Sequence, residues 1–182
     1  MRLFQIKTNI KSAANSIIFP HGKIYNAVYG YSVAGNLEKN DLPSKLIAKC
    51  QDGVSKSDIF KVDYFRSFGG IPVFSNRFLD VMNELRDEIE YCKITVIIDG
   101  EEFELNLGRI KNRMKIVDYE KSGVGTDDFS SGTYFLENID HEFLIAREIN
   151  PLCQSVFVVS DEFVSLAKKN KINAIFKEVA YS

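Results

Sequence analysis

The chain predicts a strand-rich α+β fold in a single domain, with a mixed or antiparallel sheet and two short strand–cap–helix–strand units. Three observations carry this. Short runs alternate apolar and polar residues with the period of a half-buried strand. An Asp99-Gly100 pair sits between two such runs, where a tight hairpin turn needs residues that accept positive φ. One phrase also occurs twice, as Val73-Phe74-Ser75-Asn76-Arg77-Phe78 and as Val158-Val159-Ser160-Asp161-Glu162-Phe163. Each copy reads as an apolar strand end, a serine that caps, and a helix whose first buried residue is phenylalanine. The composition divides the chain into a strand-rich N-terminal subdomain, residues 1–65, and an α+β core, residues 66–182.

Leu3 to Lys7 reads as the first strand, from its strand-forming residues. Ile17-Ile18-Phe19 follows a polar stretch and is stopped by Pro20-His21-Gly22. Ile24 to Tyr31 is expected to be a strand bearing Tyr25, Tyr29 and Tyr31, although Gly30 weakens it. Residues 36–43 are a loop by composition, and Leu46 to Cys50 is a short apolar run. Ile59 to Phe65 alternates and is expected to be a strand, so the first third offers no strong helix signal. After Gly69-Gly70-Ile71-Pro72, Ser75 or Asn76 caps a helix whose stripe is Phe78, Met82, Leu85 and Ile89.

Ile94 to Ile98 and a return strand through Phe103, Leu105 and Leu107 form the hairpin. Met114 to Tyr119 is expected to be a further strand, and the glycine- and serine-rich stretch 121–132 a mobile loop. Thr133–Leu136 and Glu142–Ala146 are short strand or bridging segments. Val156 to Val159 reads as a well-buried strand. The helix after Ser160 carries Asp161 and Glu162 at its start and Lys168 and Lys169 at its end, which suits the helix dipole. Ile172 to Val179 closes the chain as a strand.

Composition excludes several function classes. A formal charge of −2 gives no overall reason to bind nucleic acid. Cys50, Cys92 and Cys153 lack metal-like or CxxC spacing, which points to reduced thiols and a cytoplasmic location. No run reaches membrane-spanning length, and the N-terminus sustains no apolar signal-peptide region, so no membrane association is expected. The charge distribution is more informative than its total. Residues 80–104 hold Asp80, Glu84, Asp87, Glu88, Glu90, Asp99, Glu101, Glu102 and Glu104 against two bases, and the next stretch is basic.

The residues that carry chemistry do not form a recognisable catalytic or metal set. Asp140-His141-Glu142 lacks the second histidine of a metalloprotease motif, because Ile145 stands there. The glycines at 123, 125 and 132 are not followed by a phosphate-gripping Gly-Lys-Ser/Thr. Asp118 and Glu120 are expected to share one side of a strand and are the only pairing that suggests acid–base work, as in a small hydrolase. Ser75 and Ser160 lack a nucleophile elbow and read as caps, with Phe78 and Phe163 as anchors. No catalytic, cofactor-binding or metal-binding residue is therefore assigned, and no cofactor is expected.

The ordered set of segments in the C-terminal two-thirds resembles a family of bacterial immunity proteins from polymorphic toxin systems, defined from a myxobacterial member. The resemblance is carried by Ile71 to Phe78, the strand Phe103 to Leu107, Ile116-Val117-Asp118-Tyr119-Glu120-Lys121-Ser122, Val156 to Phe163, and Ile172 to Phe176. It covers about residues 59–180. It implies a non-enzymatic protein that neutralises a cognate toxin by binding and occluding it. The acidic residues Glu84, Asp87, Glu88, Glu101, Glu102 and Glu104 are the expected partner-binding surface, since many toxic effectors are basic. The alternative is a structural or homo-oligomeric adaptor, with which a homodimer is compatible.

Overall fold

The computed structural model describes residues 1–10, 16–126 and 132–181. Among the described residues, eleven strands and four α-helices make two β-systems, so the strand-rich α+β expectation holds. The first system is a closed six-stranded barrel of β2 (Ile17–Ile18), β3 (Ile47–Cys50), β6 (Ile89–Ile98), β7 (Glu101–Ile110), β5 (Ile71–Phe74) and β4 (Tyr64–Ser67). β3 runs parallel to β6, and a parallel Ile17–Ser67 pairing of β2 with β4 closes the ring. The other neighbours are antiparallel, so the barrel is mixed. The second system is a five-stranded sheet in the order β11 (Ile175–Glu178), β1 (Leu3–Lys7), β10 (Phe157–Ser160), β9 (Ile145–Glu148) and β8 (Arg113–Met114). Residues from both sides of the 65/66 boundary build each system, since β2, β3 and β4 enter the barrel and β1 lies inside the sheet.

Both copies of the doubled phrase fold as strand, cap and helix. The Ser75 hydroxyl accepts the Phe78 N–H at 3.0 Å before α3 (Asn76–Val81), and Ser160 accepts the Phe163 N–H at 3.2 Å before α4 (Asp161–Lys169). Phe74 stacks on Phe78 and Phe78 meets Phe163, so the two copies pack on one another in a core between barrel and sheet. The barrel interior forms a second core, and the opposite face of the sheet a third around Leu3, Phe135, Ala146 and Val158. The Asp99–Gly100 turn has positive φ at both residues, 50° and 80°, as the hairpin requires.

Several elements depart from the sequence expectation. Ile24–Tyr31 is not a strand: α1 (Lys23–Tyr29) continues into a π-helical turn, Gly30–Ala34, that places Tyr31 and Val33 in the barrel core. Tyr25 and Tyr29 are one helical turn apart and stack at 5.9 Å. Residues 59–65 also do not form one strand. α2 (Lys56–Lys61) opens with a Ser55–Asp58 capping box and ends before β4 begins. The stripe after Ser75 is not one helix either: α3 stops at Val81, a 3₁₀ turn covers Asn83–Leu85, and Ile89 starts β6. Its four apolar residues are all buried nonetheless, because the broken chain wraps the same core. Met114–Tyr119 contributes only Arg113–Met114 as a strand, plus an isolated Val117–Phe135 bridge. Of the loop expected at 121–132, residues 121–126 form turns and 127–131 lie outside the described residues.

Candidate functional site

The β6–β7 hairpin divides the six acids expected to bind a partner. Glu101, Glu102 and Glu104 are exposed at its tip, while Glu84, Asp87 and Glu88 precede the far end of β6. Along β6 the residues opposite Glu104 and Glu101 lie seven and ten positions beyond Glu88, which separates the two groups by about 23–33 Å at ~3.3 Å per residue. They do not form one surface. Glu88 is also committed inside the fold, its carboxylate accepting the Leu144 and Ile145 N–H groups at 2.8–3.0 Å. Glu84 and Asp87 are exposed beside it.

The tip carries more than its acids. Glu101 pairs with Lys56 at 2.5 Å, Glu102 with Lys45 at 3.2 Å and Glu104 with Lys93 at 2.8 Å. On the Phe103 side of the hairpin, Phe60 of α2, one helical turn from Lys56, is 75 % exposed and touches Phe103 edge-on, with ring centroids 5.7 Å apart. Phe103 packs inward against the barrel core, and Ile59 beside Phe60 is part of that core. The fold thus presents one exposed aromatic ring, backed by Phe103 and Ile59, next to the Lys56–Glu101 pair. Sequence reasoning missed Phe60, having placed it on a strand. The Ser55-x-x-Asp58 capping box was the signal that would have put it on a helix.

Asp118 and Glu120 do not share a strand face. Asp118 closes a turn, its side chain accepting the Lys121 N–H at 3.0 Å, and Glu120 is exposed within that turn. Among the described residues no group of His, Cys, Asp and Glu side chains could hold a metal ion.

Among the described residues three buried charges organise the interior, and none was read from the sequence. Asp63, only 2 % exposed, accepts the Ser75 hydroxyl at 2.6 Å, the Asn173 N–H at 2.7 Å and the Arg77 guanidinium. It therefore ties the first serine cap to the segment ahead of β11. On β9, Arg147 and Glu148 are neighbours, fully buried, on opposite faces of the sheet. Glu148 accepts the Ile116, Val117 and Asn150 N–H groups and the Tyr119 hydroxyl, at 2.6–2.9 Å. Those bonds replace the strand pairing expected for 116–119. Burial first, and then the hydrogen bond to Glu148, raises the Tyr119 hydroxyl well above the ordinary tyrosine range.

Arg147 has no carboxylate partner among the described residues. It donates to the Gln154 and Gly70 carbonyls at 2.7 and 2.9 Å, lies over the Phe157 ring at 5.1 Å, and leaves Nε unpartnered. Burial, and then the nearby Arg113 charge, lower its pKa to about 9. In front of it, at the barrel–sheet junction, opens a cleft of about 590 Å³ lined by residues that include Gln5, Lys7, Arg66, Phe68, Thr133 and Ser155.

No protein-family model, curated protein or solved structure matches the chain.

Proposed function

We propose that this chain is a non-enzymatic binding protein of the immunity type, which acts in the cytoplasm and neutralises a cognate toxin by occluding it. The observation that carries the binding reading is Phe60, an exposed aromatic ring seated on Phe103 beside the Lys56–Glu101 ion pair, with the Glu102 and Glu104 pairs on the neighbouring face of the hairpin. An aromatic anchor inside a polar rim is the usual composition of an energetically dominant contact. The ordered segments from Ile71 to Phe176 that resemble immunity proteins supply the class of partner. Glu84, Asp87 and Glu88 drop out of the proposed contact, because they stand at the other end of β6.

A basic partner surface would exchange its own cations for Lys45, Lys56 and Lys93, keeping the carboxylates paired while Phe60 enters a pocket. Exposed pairs of this kind contribute little to folding, about 0–1 kcal/mol each, so exchanging them costs little. The test is co-expression with the product of the adjacent gene, scoring growth rescue and a co-purifying complex together. Rescue with a stoichiometric complex supports the reading; toxicity unrelieved by this chain, with no complex, refutes it.

A further inference from the structure

The cleft at the barrel–sheet junction has a chemistry the hairpin tip lacks. Among the described residues its lining contains Lys7 from β1 and Arg66 from β4 and no aspartate or glutamate. Neither cation forms an ion pair among the described residues. Gln5, Thr133 and Ser155 add neutral hydrogen-bonding groups to the same walls. Lys177 pairs with Gln5 across β1 and β11 and lines an adjoining groove that shares Gln5 and Thr133, where Glu178 balances its charge, so the excess of cations is confined to the cleft itself.

Behind the wall stands Arg147. It is 0 % exposed, and its acceptor Gly70 and its stacking partner Phe157 are themselves lining residues. A buried guanidinium held only by two carbonyls keeps its charge unneutralised, and low-dielectric walls direct that field into the nearest open space. Glu148 makes no ion pair with it: its carboxylate faces the other side of the sheet, where it accepts from four donors, so the guanidinium is the charge nearer the cleft.

At the mouth, Phe68 is 67 % exposed yet fixed in place. Its ring meets Tyr25 at 6.1 Å, and Tyr25 stacks on Tyr29. Gly70, two residues on, sits so close to the Ser155 carbonyl that a Cβ would lie 2.0 Å from its oxygen, which pins this loop to the far wall. An exposed aromatic face held beside unpaired cations is a platform for a flat ring that carries negative charge.

We propose that this cleft binds an organic phosphate, with the phosphate between Lys7 and Arg66 and a planar ring on Phe68. Two cations of different geometry, a fork and a point charge, together with hydroxyl and amide groups, exceed what one carboxylate would use and suit a dianionic phosphate. A volume of about 590 Å³ accommodates a ligand the size of a mononucleotide. The site shares no residue with the partner contact at the hairpin tip, so the two readings fail separately.

Isothermal titration of the full chain at low salt with adenosine monophosphate, and separately with ribose 5-phosphate, tests this. Adenosine monophosphate is expected to saturate one site and to bind more tightly than ribose 5-phosphate. Arg66→Ala and Lys7→Ala are each expected to weaken it about tenfold or more, with an unchanged circular dichroism spectrum. Phe68→Ala is expected to weaken adenosine monophosphate about fivefold or more while leaving ribose 5-phosphate unchanged. Lys168→Ala, on α4, serves as the charge control and should have no effect. No saturable binding of either compound up to about 10 mM, where affinity falls below about 3 kcal/mol, overturns the proposal. So does affinity that is indifferent to both Arg66→Ala and Lys7→Ala, or an equal response of the two ligands to Phe68→Ala.

Discussion

Replacing Asp63 by alanine tests whether one buried carboxylate joins the two copies of the serine-capped unit. Asp63 receives the Ser75 hydroxyl at 2.6 Å, the Asn173 N–H at 2.7 Å and Arg77 Nε at 3.1 Å. A hydrogen bond to a charged group contributes about 1.5–3 kcal/mol when its donor is left buried and unpaired. The Ser75 donor is buried and the Asn173 N–H part-buried, so each is taken at the low end of that range, whereas the Arg77 side chain is 46 % exposed and recovers water, so its share is at most about 1 kcal/mol. The sum is about 4 kcal/mol, a large fraction of the 5–15 kcal/mol typical of a domain. For a chain of this length the midpoint of thermal unfolding should fall by about 8–16 °C. Urea denaturation followed by circular dichroism measures the loss. In a double-mutant cycle with Ser75→Ala, the coupling should exceed about 0.5 kcal/mol, because the two groups are in direct contact. A loss for Asp63→Ala below about 1.5 kcal/mol would refute the hub.

Three further outcomes follow from the geometry. Gly70→Ala should cost more than about 2 kcal/mol in the same denaturation assay, since its φ is 74° and the added Cβ meets the Ser155 carbonyl; Gly100→Ala, at φ 80° with open space around it, should cost only about 1 kcal/mol. The Cys153 thiol is pushed up to about 11 by burial and then by Glu148, against 9.0 for an ordinary thiol. The native state therefore keeps a proton that the unfolded chain releases. Its contribution is full below about pH 9 and is lost as pH rises toward about 11, so the urea midpoint should fall across that window less steeply in Cys153→Ala than in the wild type. Glu102→Gln should change stability by less than about 0.5 kcal/mol, because both members of its ion pair are more than half exposed, and a larger loss would mean the tip is structural.

Features set by local chemistry were legible in the sequence. Serine caps and the Asp99-Gly100 turn depend on neighbours a few residues away and took the expected form; on β7 Leu105 and Leu107 are buried and Glu102 and Glu104 exposed as expected, but Asn106 on the expected wet face is buried as well. The helices of the first third were misread because they are short: α1 has seven residues and α2 six, too few for a helical period to outweigh β-branched and aromatic content. The stripe Phe78–Ile89 kept its burial and lost its helix, since tertiary packing constrains the side chains and not the backbone that delivers them. Asp63, Arg147 and Glu148 were illegible for a different reason. Their partners lie up to 110 residues away, as with Asn173 and Asp63, and no local pattern marks a charge for burial. The expected acidic surface was built from sequence proximity, and a ten-residue strand separated it into two groups. The cleft had no sequence signal, because Lys7, Arg66 and Ser155 come together only through the junction of barrel and sheet.

The central claim is that Phe60 anchors a protein partner, and its affinity for the adjacent gene's product measures this most directly. By titration calorimetry on the purified pair, Phe60→Ala should weaken binding at least about thirtyfold, the loss of a dominant aromatic contact, while leaving the denaturation midpoint nearly unchanged. A complex that forms with undiminished affinity in Phe60→Ala would contradict the account.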